Sequence, residues 1–230
     1  MIPAKNEAAS IEDVVRAART ALDGDVVVID DGSVDDTAVL ALRAGAIVLS
    51  HPYNLGVGGA VRTALTYARR NGYTRVVQID GDGQHDPNEG KRLVAELDVG
   101  DADLVIGSRF AAGYQVSRRR RVVMRILSAV VSRRLGTTIT DTTSGFRAMN
   151  DRTIECFSRH YPVDYLSDTV EALLLAQDAG LRVREVDVQM QPRAGGIPSA
   201  STARSIYHLI RLLLILLLHA LRRPRKGSPQ

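Results

Sequence analysis

Four short apolar runs, at residues 26–29, 46–49, 76–79 and 104–106, recur through the first half of the chain with longer amphipathic stretches between them. Such runs suit strands buried on both faces, as in a parallel sheet covered by helices. The β-α-β-α succession predicts right-handed crossovers and a twisted, mostly parallel sheet flanked by helices, an α/β fold. With 230 residues and 45% hydrophobic content, the chain is expected to build one compact domain with a full core. We set that domain at residues 1–200, followed by an apolar amphipathic helix and a basic tail over 201–230.

The pattern places helices at about 8–22, from about Asp35, up to about Arg70, from Pro87 and at 169–179. Further strands are expected at 73–79, 103–106 and 182–190, with a loop at 51–59 and a Thr/Ser/Gly loop at 142–145. Only two apolar residues precede Pro3, which leaves open a stunted first strand or a start further upstream. Met1-Ile2-Pro3 leads directly into polar residues, unlike a secretory signal.

In open α/β sheets ligands bind beyond the carboxyl ends of the strands. Three polar clusters sit there: Asp30-Asp31-Gly32-Ser33, Asp80-Gly81-Asp82-Gly83-Gln84 and Ser108-Arg109. Asp80 and Asp82 are spaced to point to one side of the chain, and the glycines between them let the backbone turn and approach a ligand. Oxygen ligands with open positions suit Mg2+ or Mn2+ shared with substrate phosphates. A bare turn is the alternative, and the position after an apolar strand favours the metal. Asp30-Asp31 offers acceptors to a nucleobase or ribose, and Ser33 or Asp35 could equally cap the next helix.

The net charge of +4 hides clusters of arginine at 118–121, 125 and 133–134 and of Arg222, Arg223, Arg225 and Lys226 near the end. These attract phosphates, of lipid headgroups or of a phosphorylated substrate, unless each is merely a solvated helix face. Few aromatics lie among them, which speaks against nucleic acid. The lone Cys156 suits a reducing cytoplasm. Residues 206–221 are strongly apolar but number sixteen and include His208, Arg211 and His219. Crossing a bilayer takes roughly 20 apolar residues, so an interfacial helix on anionic lipid is expected, or one docked on another subunit or a membrane partner.

Together these motifs resemble glycosyltransferase family 2, the inverting GT-A enzymes. The resemblance rests on Ile2-Pro3-Ala4-Lys5-Asn6-Glu7, Val28-Ile29-Asp30-Asp31-Gly32-Ser33, Asn54-Leu55-Gly56, Asp80-Gly81-Asp82-Gly83-Gln84-His85 and Gly107-Ser108-Arg109, in family order. The second half resembles the polyprenyl-phosphate branch typified by dolichyl-phosphate mannose synthase, through Asp141-Thr142-Thr143-Ser144-Gly145-Phe146-Arg147-Ala148-Met149. The segment from Arg193 to Ser199 is similar to that branch's R-x-x-G-x-S loop, with Pro198 interrupting it, and Met124 stands where the branch has a serine.

The resemblance implies a GT-A Rossmann-like fold and transfer from a UDP- or GDP-sugar to a polyprenyl phosphate. It implies nucleotide-sugar contacts at Pro3, Ala4, Glu7, Asp31 and Asp80, and metal ligands at Asp80, Asp82 and Gln84 for Mg2+ or Mn2+. Arg121 and Arg125 would meet the acceptor phosphate, and Arg193 the diphosphate. Asp164, Asp168 and Glu171 are candidates for sugar contacts, or helix-start acids favoured by the dipole; Asp164 or Asp168 would be the base if the acceptor is a hydroxyl. The expected location is cytoplasmic, peripheral at the inner face of the cell membrane. A same-donor transferase to a hydroxyl, a nucleotidyltransferase and a non-catalytic membrane scaffold are the competing readings. The nucleotidyltransferase normally carries a G-x-G-T-R-type loop where this chain has Ala4-Lys5-Asn6-Glu7.

Overall fold

The structure, a computed structural model, describes residues 1–109, 118–163 and 168–191, with backbone only for 118–123. Its elements in chain order are β1 (Ile2–Ala4), α1 (Ile11–Ala21), β2 (Val27–Asp30), α2 (Thr37–Arg43), β3 (Ile47–Ser50), α3 (Val57–Arg70) and β4 (Arg75–Gln78). There follow α4 (Pro87–Asp98), β5 (Leu104–Ser108), α5 (Arg118–Leu135), β6 (Arg147–Asn150), α6 (Asp151–His160), α7 (Asp168–Asp178) and β7 (Val183–Asp187). The expected apolar helix near 205–221, the loop from Arg193 and Asp164 lie outside the described residues.

Strands β1, β2 and β3 pair in parallel, in that order. Strands β4, β6, β5 and β7 form a second run, in which β6 is antiparallel to both neighbours and β7 is parallel to β5. Met1 N donates to Val77 O (2.6 Å) and Ile79 N to Met1 O (3.0 Å), the alternation of a parallel pair, which lays β1 beside β4. The order across the molecule is therefore β3-β2-β1-β4-β6-β5-β7. Every parallel strand ends at one edge, and the reversed β6 begins there.

Apolar residues on both faces of β2 explain its place inside the sheet, between β3 and β1. Val26 and Val28 join a core with Ile11, Val14, Val15 and Ala18 of α1 and Leu93 and Leu97 of α4. Val27 and Ile29 face the other way, against Ala60 and Ala64 of α3. Fully burying a side chain such as Ile29 stabilises the fold by about 2 kcal/mol. Pro87 opens α4, with Asp86 accepting from Asn88 N (2.9 Å) as its cap. Neither Ser33 nor Asp35 caps α2 as expected: Asp36 stands at that position without a side-chain cap bond. Asp35, one residue earlier, accepts from Thr37 N (3.1 Å), and Ser33 Oγ accepts from Asn6 N (2.9 Å) in the neighbouring loop.

The expected mostly parallel sheet is present. The pattern missed β6, because Arg-Ala-Met-Asn holds no apolar run, and with it α6, which follows directly. No helix among the described residues is long and apolar enough to cross a membrane.

Candidate active site

The carboxyl edge gathers the loops after β1, β2 and β4 and the segment that enters β6. Asp80 leaves the end of β4 with its side chain 39% exposed. The turn after it is closed by its own side chains. Asp80 N donates to His85 Nδ1 (3.0 Å), and Gln84 N donates to Asp82 Oδ1 (3.0 Å). Because Nδ1 accepts, the neutral His85 ring carries its proton on Nε2, which lies 3.7 Å from Asp80 Oδ2. The buried ring stacks on Phe146 with centroids 4.7 Å apart. On its far side the turn is tied to the chain beyond β7, where Gln191 N donates to Gln84 O (2.9 Å).

The β4–β6 register explains the space in front of Asp80. Gln78 pairs with Arg147, so two residues further on Asp80 comes opposite Gly145. A Cβ on Gly145 would lie 2.9 Å from Asp80 Oδ1 and 3.1 Å from Oδ2. Only glycine leaves the carboxylate free to turn toward a ligand. A cation held by Asp80 and Asp82 fits this arrangement. Among the described residues no three His, Cys, Asp or Glu side chains converge on one point. A cation here would have at most two carboxylates from the described residues, so phosphate oxygens and water would have to complete the shell of a hard ion.

Pro3 and Ala4 form the end of β1, and Glu7 lies in the loop after it. The Glu7 Cγ, Ala4 Cβ and Pro3 O all lie within 3.5 Å of where a Gly81 Cβ would be, so this loop packs against the Asp80 turn. Ser10 Oγ donates to Gly81 O (2.7 Å), joining the two. Asp31 is 4% exposed. Its Oδ1 accepts from Leu55 N and His51 Nδ1, and its Oδ2 from Gly56 N, each at 2.8 Å. These bonds make the carboxylate the hold on the Asn54-Leu55-Gly56 loop, with a single bond received at Oδ2. Gly32, at φ 68°, packs on the Tyr53 backbone, where a Cβ would meet Tyr53 C at 2.8 Å.

Asp168 is the first residue of α7 and is 3% exposed. Burial pushes its carboxyl up to about 6, against the opposing charge of Arg147 and with the charge of Asp80 adding to the rise. Arg147 is fully buried. Arg109, next to the same edge, clamps Asp141 through Nε (2.7 Å) and Thr143 through Nη2 (2.9 Å). Glu185 of β7 accepts from the Thr140 and Asp141 backbone at 2.6 and 2.9 Å and so holds that segment in place. Arg125 is exposed on α5; Arg121 lies on the same helix, its side chain outside the described residues.

The structure thus brings together Pro3, Ala4, Glu7, Asp80, Asp82 and Gln84, with Asp168 buried nearby. Sequence reasoning missed the parts played by His85, Gly145 and Arg147. All three stand inside the quoted motifs, and the register that gives them their work depends on β6, which the pattern did not reveal.

Residues 1–157 match the family described as Glycosyl transferase family 2. The polyprenol monophosphomannose synthase of Mycolicibacterium smegmatis is 33% identical over 165 residues, 67% of this chain and 62% of that protein. The UDP-N-acetylglucosamine–dolichyl-phosphate N-acetylglucosaminyltransferase of Methanococcus voltae is 26% identical over 209 residues, 82% of this chain and 83% of that one. Among solved structures, glucosyl-3-phosphoglycerate synthase from Mycobacterium tuberculosis, in complex with Mn2+, UDP and glucosyl-3-phosphoglycerate, matches with a TM-score of 0.73. It is 25% identical, and the match covers all of this chain and 81% of that one. The fold is of the GT-A type.

Proposed function

The chain belongs to glycosyl transferase family 2, and from that premise we propose that it moves a sugar from a UDP- or GDP-sugar to a polyprenyl phosphate, with inversion at the anomeric carbon. The observation that carries this reading is the cleared space at the carboxyl edge, where Gly145 stands opposite Asp80 and Asp82 lies in the adjoining turn. Pro3, Ala4, Glu7 and Asp31 receive the nucleotide. Asp80, Asp82 and Gln84 hold Mg2+ or Mn2+, in keeping with the metal in the glucosyl-3-phosphoglycerate synthase complex. When bound, the cation neutralises charge gathering on the departing diphosphate. The bond from Gln191 to Gln84 ties the chain to the metal turn two residues before Arg193, and the planar fork of Arg193 suits the same anion.

The acceptor reading is supported by the relatives, two of whose names contain a polyprenyl or dolichyl phosphate acceptor or product. An acceptor phosphate is already anionic and nucleophilic, so the transfer requires no base. Arg121 and Arg125 give it opposite charge, and an interfacial helix in 201–230 would bring the site to the inner face of a membrane. A second copy or a membrane protein is the alternative occupant of that helix. One observation favours a second reading: Asp168, with its carboxyl at about 6, is poised to take a proton from an acceptor hydroxyl; Asp164 is the other candidate for that role.

Radiolabelled UDP- and GDP-sugars offered with polyprenyl phosphate in one assay, and with soluble hydroxyl acceptors in another, test the reading. We expect a metal-dependent lipid product, lost in Asp82→Ala and weakened in the Arg121→Ala, Arg125→Ala double variant. Transfer only to hydroxyls would replace it with the second reading.

A further inference from the structure

Behind Asp80, on the same face of the sheet, lies a buried group of polar side chains, two of which, Gln78 and Arg147, have no part in the proposed transfer. Alternate residues of a strand share a face, so Gln78 sits one pleat behind Asp80, and the register sets Arg147 across from Gln78. Their exposures are 2% and 0%. Arg147 Nε donates to Ser144 O (2.9 Å) and Nη2 to Thr169 O (3.1 Å), which draws the first turn of α7 onto the pair. That turn carries Asp168 and Glu171, three residues apart and so on one helix face. The Tyr161 hydroxyl donates to Asp168 Oδ2 (3.4 Å) at the margin of the group.

Three side-chain atoms on these elements are buried with no hydrogen-bond partner: Gln78 Oε1, Arg147 Nη1 and, on the first turn of α7, Glu171 Oε1. Folded proteins rarely leave such atoms orphaned, because each has given up its bonds to water and gained nothing. One is a donor and two are acceptors. That is the complement of a small group that both accepts and donates.

We propose that Gln78, Arg147 and Glu171 form a binding site for a single hydroxyl directly behind Asp80. The hydroxyl accepts from Arg147 Nη1 and donates to Gln78 Oε1 or Glu171 Oε1. Two sources carry this chemistry. A water, with two O–H bonds and free lone pairs, answers all three atoms; a hydroxyl of the donor sugar answers the arginine and one oxygen. The water case is independent of the proposed function, and the sugar case rests on it. In either case the bound group restrains Arg147, and through Ser144 it holds Gly145 at its distance from Asp80.

Crystals of the full chain, ligand-free and with UDP-glucose and Mn2+, read the site directly. Density within hydrogen-bond distance of Arg147 Nη1 in the ligand-free crystals identifies water. Density there only with UDP-glucose identifies the sugar. An empty site in both overturns the proposal. Gln78→Met, which keeps the length of the side chain and removes the oxygen, is the test in solution. With a resident water bound, methionine strips it of a partner and the ligand-free Tm falls. An unchanged or raised ligand-free Tm rules out the water, and if UDP-glucose then binds the variant as tightly as the parent the site is overturned. Calorimetric titration separates the sources: a sugar contact weakens UDP-glucose several-fold in Gln78→Met and leaves UDP unaffected, whereas a resident water leaves the ratio of the two unchanged. If neither nucleotide sugar nor UDP binds, the proposed function fails, while ligand-free density and Tm still decide the site.

Discussion

The charge of Asp80 reaches Asp168 across the interior, yet their surroundings prepare the two for different work. Asp80 is partly exposed and faces the one residue type that adds nothing in front of it. In Gly145→Ala the new methyl would meet both Asp80 oxygens near 3 Å. The carboxylate must then swing aside. Gly145 has no positive φ, so the backbone accepts alanine and the fold should survive. We expect an unchanged Tm in the absence of metal, with kcat/KM falling about 100-fold, the scale of an ångström-sized misplacement. Full activity would show that Asp80 has room to spare. Asp168 is buried, and its folded carboxyl is raised from 3.8 to about 6. The folded state therefore holds that proton more tightly than the unfolded chain, so this group's contribution to stability falls as pH rises from about 4 through 6. Above that window its ionisation costs about 3 kcal/mol. Asp168→Asn removes the titration. Its Tm should gain on the parent's between pH 4.5 and pH 7.5; a difference that does not change with pH would refute the buried charge.

At the scale of elements, the opposite edge of the sheet is organised by a third aspartate. Asp103, 1% exposed just before β5, accepts from Arg182 N (2.8 Å), Asn150 Nδ2 (2.9 Å) and Arg152 Nη1 (3.1 Å). It thereby ties the starts of β5 and β7 to the end of β6 and the start of α6. Burial alone would raise its carboxyl. The Arg182 N–H, the Asn150 amide and the arginine charges outweigh burial, and the net shift is downward. The sign is opposite to that of Asp168: the stabilisation is present above the ordinary carboxylate range and is lost as pH falls below it. Asp103→Ala should lower stability at pH 7 by about 1–2 kcal/mol, read from the urea midpoint, since it removes a buried acceptor shared by three part-buried donors. The deficit should shrink toward pH 3, and a constant deficit would assign the effect to packing. This hub also marks where the sequence became hard to read. Strands β2, β4 and β5 announced themselves as valine and isoleucine runs, and Asp80 and Asp82 were legible because they follow one. Strand β6 has Arg147 and Met149 toward one face and Ala148 toward the other. Its arginine is buried only because Ser144, Thr169 and Asp168 surround it, and those are contacts of tertiary structure. Without β6 there is no register, and without register nothing in the sequence sets Gly145 against Asp80 or Gln78 against Arg147.

For the molecule as a whole, the proposed polyprenyl-phosphate acceptor requires that a site open at one edge meet a lipid. The acids of the carboxyl edge would be repelled by an anionic surface, so attraction must come from elsewhere. Helix α5 presents Arg125, Ile126, Ala129, Val130 and Arg133 to solvent, with Ile126 51% and Val130 36% exposed. Basic and apolar residues on one stripe suit the headgroup region, where each arginine contributes about 1 kcal/mol. Residues 201–230 add a second segment of the same character in sequence. The full chain should sediment with vesicles rich in anionic lipid, and far less with neutral ones. Binding should fall as salt rises past about 0.15 M, where the screening length is about 8 Å. Val130→Glu combined with Arg133→Glu should weaken the association at least about tenfold, while calorimetric binding of UDP with Mn2+ stays as in the parent, because neither residue belongs to the nucleotide site. Ending the chain after residue 200 should weaken vesicle binding independently of α5. If the α5 variant binds as the parent does and the shortened chain does not bind, the membrane contact belongs to 201–230 alone and the arginines of α5 are left to the acceptor phosphate.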